Sequence, residues 1–257
     1  MELVSKQKAG LETIDDVIEV MTEQLRVFQQ SGDHRVVFHR VYLLMTKEMQ
    51  KRLSTGFFLD PVWLEHVLVG FAQYYFHAID AFQEGQPCPP AWELAFRQAS
   101  EKKGFVLQDA LLGINAHINS DLPMVMHNIL SEEQAWPDAR KMLHRRQDHE
   151  RINYVLADLV DLVQDELSNY YARFIRVIDY VMGRKDESLS SIILSHCRTA
   201  VWYNSELLLG ASDEEQRNLQ RRRIENDALA ISQKVISLPA MKCAKYLAPF
   251  TRKKHWF

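Results

Sequence analysis

The stretch Ala110–Met124, ALLGINAHINSDLPM, sets Asn115, His117, Asn119 and Asp121 among leucines and isoleucines. His117 and Asp121 stand four positions apart, the helical spacing at which two side chains converge. An imidazole oriented by a carboxylate can act as a general acid or base. The same pair can supply two ligands to a divalent metal, and zinc, iron and manganese are the ions that imidazole and carboxylate suit. A second polar set lies in PVWLEHVLVGFAQYYFHAIDAF, where His66, Gln73, His77 and Asp80 form a stripe about 60° wide on an otherwise apolar helix. His77 and Asp80 are therefore the candidate ligands that would complete a metal set with His117 and Asp121. Such a stripe lines either solvent or a polar cavity.

A third contribution comes from DHERIN. Asp148 lies in line with Ile152, Val155 and Leu159, where it either caps its helix or presents a carboxylate inward. Arg151 offers a cation close by. The candidate catalytic residues are His117, Asp121, Asn119 and Asp148; the candidate substrate contacts are Asn115, Gln73, Tyr74 and Arg151. His39 and His196, each bordering an apolar face, read as core histidines bonded to a carbonyl or a tyrosine.

Burying an unpaired carboxylate is costly, and the usual escapes are a cation, a metal or a raised pKa. Too few Lys or Arg residues fall on these inward faces to neutralise Asp80 and Asp121, which leaves histidine or metal. There is no HExxH, no Glu-x-x-His set, no GxSxG and no Gly-rich phosphate loop. With no redox-cofactor motif either, the chemistry expected is hydrolysis or a lyase/cyclase reaction. Aromatic and aliphatic neighbours favour a small apolar, amphipathic or lipid-like substrate. The rival expectation is a non-catalytic helical module that binds a hydrophobic ligand or a partner protein, its polar residues forming a satisfied network that fixes helix register.

These residues must be positioned by helices, because apolar positions recur every three or four residues along most of the chain. Thr13 with Asp15 and Asp16 starts a helix reaching to about Gln30, and SGDH closes it. Others are expected at about 35–53, 61–82, 90–100 and 105–122, in MVMHNIL, and at about 188–209 and 212–237, with Asp60 capping Pro61. On a regular helix over 105–122, Leu107, Leu111, Ile114, Ile118 and Leu122 form one ridge, while Asp109, Ala116 and Ser120 point away from it. No alternating strand pattern occurs. The fold expected is all-α, a bundle of roughly eight to ten helices forming one domain over residues 1–257.

Composition narrows the partners. The 257 residues are 47% hydrophobic and 25% charged, and 31 basic against 34 acidic side chains leave a formal charge of −3, which gives no global field favouring nucleic acid. Three cysteines, Cys88, Cys197 and Cys243, lack zinc-binding or disulfide spacing and fit a reducing cytoplasm. The N-terminus carries no recognisable signal or transit pattern. The longest apolar segment is interrupted by charge, and one aspartate near a bilayer centre costs about 2.5–3.5 kcal/mol, so no transmembrane segment is expected. The basic tail at 250–257 could touch an anionic surface, and an oligomer is compatible with everything above.

LLGINAHINSDLP resembles a bacterial and fungal family, an all-helical domain of unknown function numbered 5995, whose members carry a GINAHIN-x-DLP core. The resemblance continues through FFLDPVWLEHVLVGFAQYYFHAIDAF, PPAWELAF and DHERIN, over roughly residues 36 to 205. It picks out His117, Asn119, Asp121 and Asp148 as signature positions and carries no catalytic assignment. A His four residues before an Asp is also similar to a ligand arrangement in zinc-dependent phospholipase C, but the His-Pro-x-x-His segment of those enzymes is missing.

Overall fold

The computed structural model describes residues 10–101, 106–133, 138–159 and 186–237, and among them there are helices and turns but no strand. Helix α1 (Ile14–Ser31) opens on a reciprocal cap: the Thr13 hydroxyl accepts from Asp16 N–H and the Asp16 carboxylate accepts from Thr13 N–H. It closes on Gly32 at φ 66°, a left-handed cap that suits glycine. Helices α2 (Val36–Leu53) and α3 (Pro61–Gln83) follow, the latter capped by Asp60, whose carboxylate accepts from Trp63 N–H. Then come α4 (Pro90–Ser100), α5 (Val106–Asn115), α6 (Leu122–Glu132), α7 (Asp186–Leu209) and α8 (Glu214–Ser237). A further helical run covers 139–159.

Between α5 and α6 the helix changes pitch without breaking. Ala116–Asp121 is a π-helix, and the Leu122 N–H reaches back five residues to the His117 carbonyl. Such turns are rare and recur at functional positions. The regular helix expected over this span is thus interrupted at the His-Asp pair itself.

The apolar interior falls into two clusters. One gathers Met21, Phe28, Phe38, Tyr75, Trp92 and Leu112; the other gathers Trp63, Leu64, Met126, Leu130, Val155 and Trp202. Ala116 belongs to the first and Ile118 to the second, so the π-turn is the seam where the clusters meet. It packs against α3, α4, α6, α7 and α8. That crowding corrects the expected outward face: Asp109, Ala116 and Ser120 are only 5%, 0% and 3% exposed. A helix covered on every side has no outward face, whatever its periodicity suggests.

Gly113 is needed for one of these contacts. A methyl group in place of its hydrogen would lie 2.4 Å from the Phe38 ring, far inside van der Waals contact. The helix α2 therefore approaches α5 only because position 113 has no side chain.

His39 behaves as a core histidine, with Nδ1 3.0 Å from the Tyr75 hydroxyl and Nε2 2.8 Å from the Met21 carbonyl. Among the described residues no helix is long and apolar enough to cross a membrane. The tail at 250–257 and the side chain of His196 lie outside the described residues.

Candidate functional site: a buried histidine, carboxylate and indole

The π-turn presents His117 and Asp121 to the aromatic faces of α2, α3 and α4. His117 Nδ1 lies 2.9 Å from Asp121 Oδ2, and the same oxygen accepts from the Trp92 indole N–H at 2.7 Å. All three side chains are enclosed; His117 and Asp121 are each 2% exposed and Trp92 0%. The imidazole lies parallel to Phe71 with ring centroids 3.4 Å apart, and Tyr42 meets the imidazole edge-on with centroids 4.4 Å apart. Phe38, Tyr75 and Trp92 complete the surround at 5.7–5.8 Å.

Electrostatics follow from that enclosure. Burial holds the His117 imidazole well below its ordinary pKa. Burial also pushes Asp121 well above the usual carboxylate range, opposed by the Trp92 hydrogen bond and assisted by the negative charge of Glu225. Both shifts favour an uncharged pair. Burial raises the Tyr42 phenol as well, with Asp121 adding to the effect, so this hydroxyl stays protonated.

One atom of the group is left over. His117 Nε2 is buried and has no hydrogen-bond partner among the described residues. A buried polar atom of this kind costs about 1–3 kcal/mol, so its presence in the most specific motif of the chain calls for a use. Trp92 was not among the residues singled out by sequence reasoning, since an indole in PPAWELAF looks like ordinary packing. Only its contact with Asp121 reveals it as part of the group.

The remaining candidates are placed elsewhere. Asn115 Nδ2 donates to the Ala228 carbonyl and to Ser232 Oγ, both at 2.8 Å, and Asn119 Nδ2 donates to Asn115 Oδ1. These amides tie the π-turn to α8. Asp148 is fully buried and accepts from the N–H groups of Leu59 and Asp60 at 2.8 and 2.7 Å, while Arg151 donates to the Phe57 carbonyl. Both hold the turn that leads into α3, with Arg145 adding contacts to Asp60 and Glu133. Asp148 lies inside the helical run 139–159 rather than at a helix start, and its carboxylate holds the turn before α3 instead of capping its own helix.

The stripe of α3 does not join the centre. His66 and His77 are exposed, Asp80 is partly buried, and Gln73 donates to the Leu11 carbonyl at 3.3 Å. Asp80 is nine residues beyond Phe71, roughly 13 Å along the helix axis at 1.5 Å per residue. Tyr74 Oη instead accepts from Asn128 Nδ2 at 3.0 Å.

A divalent metal needs at least three convergent protein donors in sites of the kind considered. Here two converge, His117 and Asp121, and among the described residues no three His, Cys, Asp or Glu side chains are grouped to hold an ion. The four-residue set with His77 and Asp80 therefore does not fit a metal. The periodicity had aligned each pair on its own helix but carried no information on where along α3 the π-turn would cross.

A family model described as a family of unknown function (DUF5995) matches residues 14–238, which is most of the chain, and the chain belongs to that family. No curated protein and no solved structure matches it.

Proposed function

We propose that this member of the DUF5995 family is an enzyme of hydrolase or lyase/cyclase type in which His117 transfers a proton through Nε2 to or from a small apolar or amphipathic substrate. The observation that carries the reading is the unpartnered Nε2 of a buried imidazole whose other nitrogen is fixed by a carboxylate. With the pair uncharged, Asp121 keeps its proton on Oδ2 and donates it to Nδ1, and Nε2 carries the other. If Nε2 gives up its proton as the Asp121 proton moves to Nδ1, no buried imidazolium has to form. Trp92 then stabilises the carboxylate that remains, through the same 2.7 Å hydrogen bond. Reversal of the two transfers restores the starting state, as a general acid-base group requires. Asn115, Asn119, Asp148 and Arg151 support this centre by fixing the π-turn to α8 and the turn before α3.

The test is hydrolysis of p-nitrophenyl esters with acyl chains from acetyl to octanoyl. The expected outcome is turnover that grows with chain length and falls by about 10²–10⁴-fold in His117→Gln, the range typical of removing a general acid or base.

A second reading is favoured by one observation, the face-to-face packing of His117 on Phe71 at 3.4 Å. It makes the chain a non-catalytic helical module for an apolar ligand or partner protein, with the polar group fixing helix register. Absence of ester turnover, together with a large loss of stability in His117→Gln, supports that reading instead.

A further inference from the structure

A second histidine and aspartate face one another 75 positions apart in sequence, where α5 passes the start of α2. Asp109 is 5% exposed, and neither of its carboxylate oxygens has a hydrogen-bond partner among the described residues. Among the described residues His34 is the basic group facing it, with Nδ1 3.6 Å from Oδ2. That is beyond hydrogen-bond length. Arg35 is committed elsewhere: two of its guanidinium nitrogens bond Asp33 Oδ2 at 2.9 and 2.6 Å.

Asp109 lines a small cavity with Phe38, Tyr75, Trp92 and Phe96; His34 and Arg35 line it too, the Arg35 guanidinium lying 6.0 Å from the Phe96 ring centroid with its charge met by Asp33. Trp92 and Phe96 are stacked with centroids 4.9 Å apart, and Phe38 and Tyr75 each meet Trp92 at 5.2–5.4 Å. The cavity has about 10 Å³ of room, enough for one group the size of a water molecule. Gly113 also lines it, and Ala99 borders it from α4.

We propose that this cavity binds the head of a primary organic ammonium ion, with the –NH3⁺ group donating to the Asp109 carboxylate and the aromatic walls facing the positive charge. The chemistry of each part points the same way. A buried carboxylate lacking hydrogen bonds accepts from several N–H groups at once. Aromatic faces attract a cation through their quadrupole, most strongly at Trp. The size of the space admits an ammonium head and excludes a quaternary one, while the rest of the molecule points outward. Burial raises the Asp109 pKa, with His34 opposing the shift, and a bound cation would restore the ionised form. The site shares Phe38, Tyr75 and Trp92 with the surround of His117, yet its ligand binding does not depend on proton transfer at His117.

The experiment is titration of the protein with n-butylammonium chloride at constant ionic strength, followed by the Trp92 indole N–H resonance. n-Butylammonium is expected to bind in saturable fashion, n-butanol not to bind, and tetramethylammonium to bind about tenfold more weakly or not at all. Asp109→Asn keeps the shape of the side chain and is expected to weaken n-butylammonium about tenfold or more. Ala99→Val, which fills the space and leaves the carboxylate in place, is expected to weaken it as well. The proposal is overturned if n-butylammonium does not bind, which would leave the cavity to water alone, or if either Asp109→Asn or Ala99→Val binds it as the unaltered chain does. Equal affinity for n-butanol would overturn it too.

Discussion

Among the described residues two His-Asp couples share the aromatic neighbours Phe38, Tyr75 and Trp92, and they are built differently. His117 and Asp121 come from a single π-turn, meet at 2.9 Å and are anchored by the Trp92 indole. His34 and Asp109 come from separate elements, stand 3.6 Å apart and border a cavity. Among the described residues the first couple is closed except for one nitrogen, and the second leaves both carboxylate oxygens without a hydrogen bond. Residue type alone therefore does not set chemistry. A tightly held couple is suited to moving a proton between its own atoms and one more, whereas a loosely held one offers its carboxylate to an outside donor.

The difference predicts unequal costs. Asp121→Ala leaves the His117 Nδ1 and the Trp92 N–H without their common partner and opens space in a packed interior, so unfolding in urea should show a loss of about 3–5 kcal/mol. Asp109→Asn removes a carboxylate that has no hydrogen bond to lose, and its cost should stay within about 1 kcal/mol or be a gain. Equal losses in the two variants would erase the comparison.

The shared wall can be broken from one position. Gly113→Ala drives a methyl group into Phe38, which neighbours His117 and also lines the cavity. A cost of about 1–3 kcal/mol is expected, as for other overpacked cores, with movement of the His117 and Trp92 ring resonances together. A change confined to one of them would mean that the two couples are mechanically separate.

The anchoring of the π-turn can be loosened more gently. Asn115→Ala deletes the donors to Ala228 and Ser232, for about 1–2 kcal/mol, and should speed amide hydrogen exchange in the middle of α8 while sparing α1. Unchanged exchange in α8 would show that these bonds do not hold it.

The smallest and sharpest test is the pH dependence of stability. His117 has a lowered folded pKa, so its contribution is fully present above the ordinary histidine value of about 6.5 and is lost as pH falls through the folded value. Asp109 has a raised folded pKa, so its contribution is fully present below the ordinary carboxylate value of about 3.9 and is lost as pH rises through the folded value. The two couples thus give slopes of opposite sign. Stability curves of His117→Gln and Asp109→Asn, each subtracted from the unaltered chain, should separate the two couples; His149 cancels in both subtractions, and Asp121, which is bonded to His117, cancels in that of Asp109→Asn and is counted with its couple in the other. Two differences of the same sign would contradict the burial that distinguishes the sites.

Much of this architecture is legible in the residues. Thr13, Asp60 and Pro61 mark helix starts because a side-chain oxygen or a missing N–H answers a local shortage of hydrogen bonds, and the structure puts α1 and α3 there. The i, i+4 spacing brought His117 to Asp121, and the apolar surroundings of His39 identified it as a core histidine. Among the described residues His77 and Asp80 are not grouped with His117 and Asp121, because the expected set joined two helices by their faces without their axial offset. Asp109 and Trp92 were missed for a related reason: one was assigned to an outward face that does not exist, and the other resembled packing.

The sequence by itself determined the helices, their caps and the pairing of His117 with Asp121, since each of these rests on forces acting within a turn or two of backbone. Tertiary structure alone decided that Trp92 reaches Asp121, that Nε2 is left over, and that Asp109 looks into a cavity. Those depend on which helices cross and where along their length they do so, and that is set by the fit of whole surfaces, such as Phe38 against a bare Gly113.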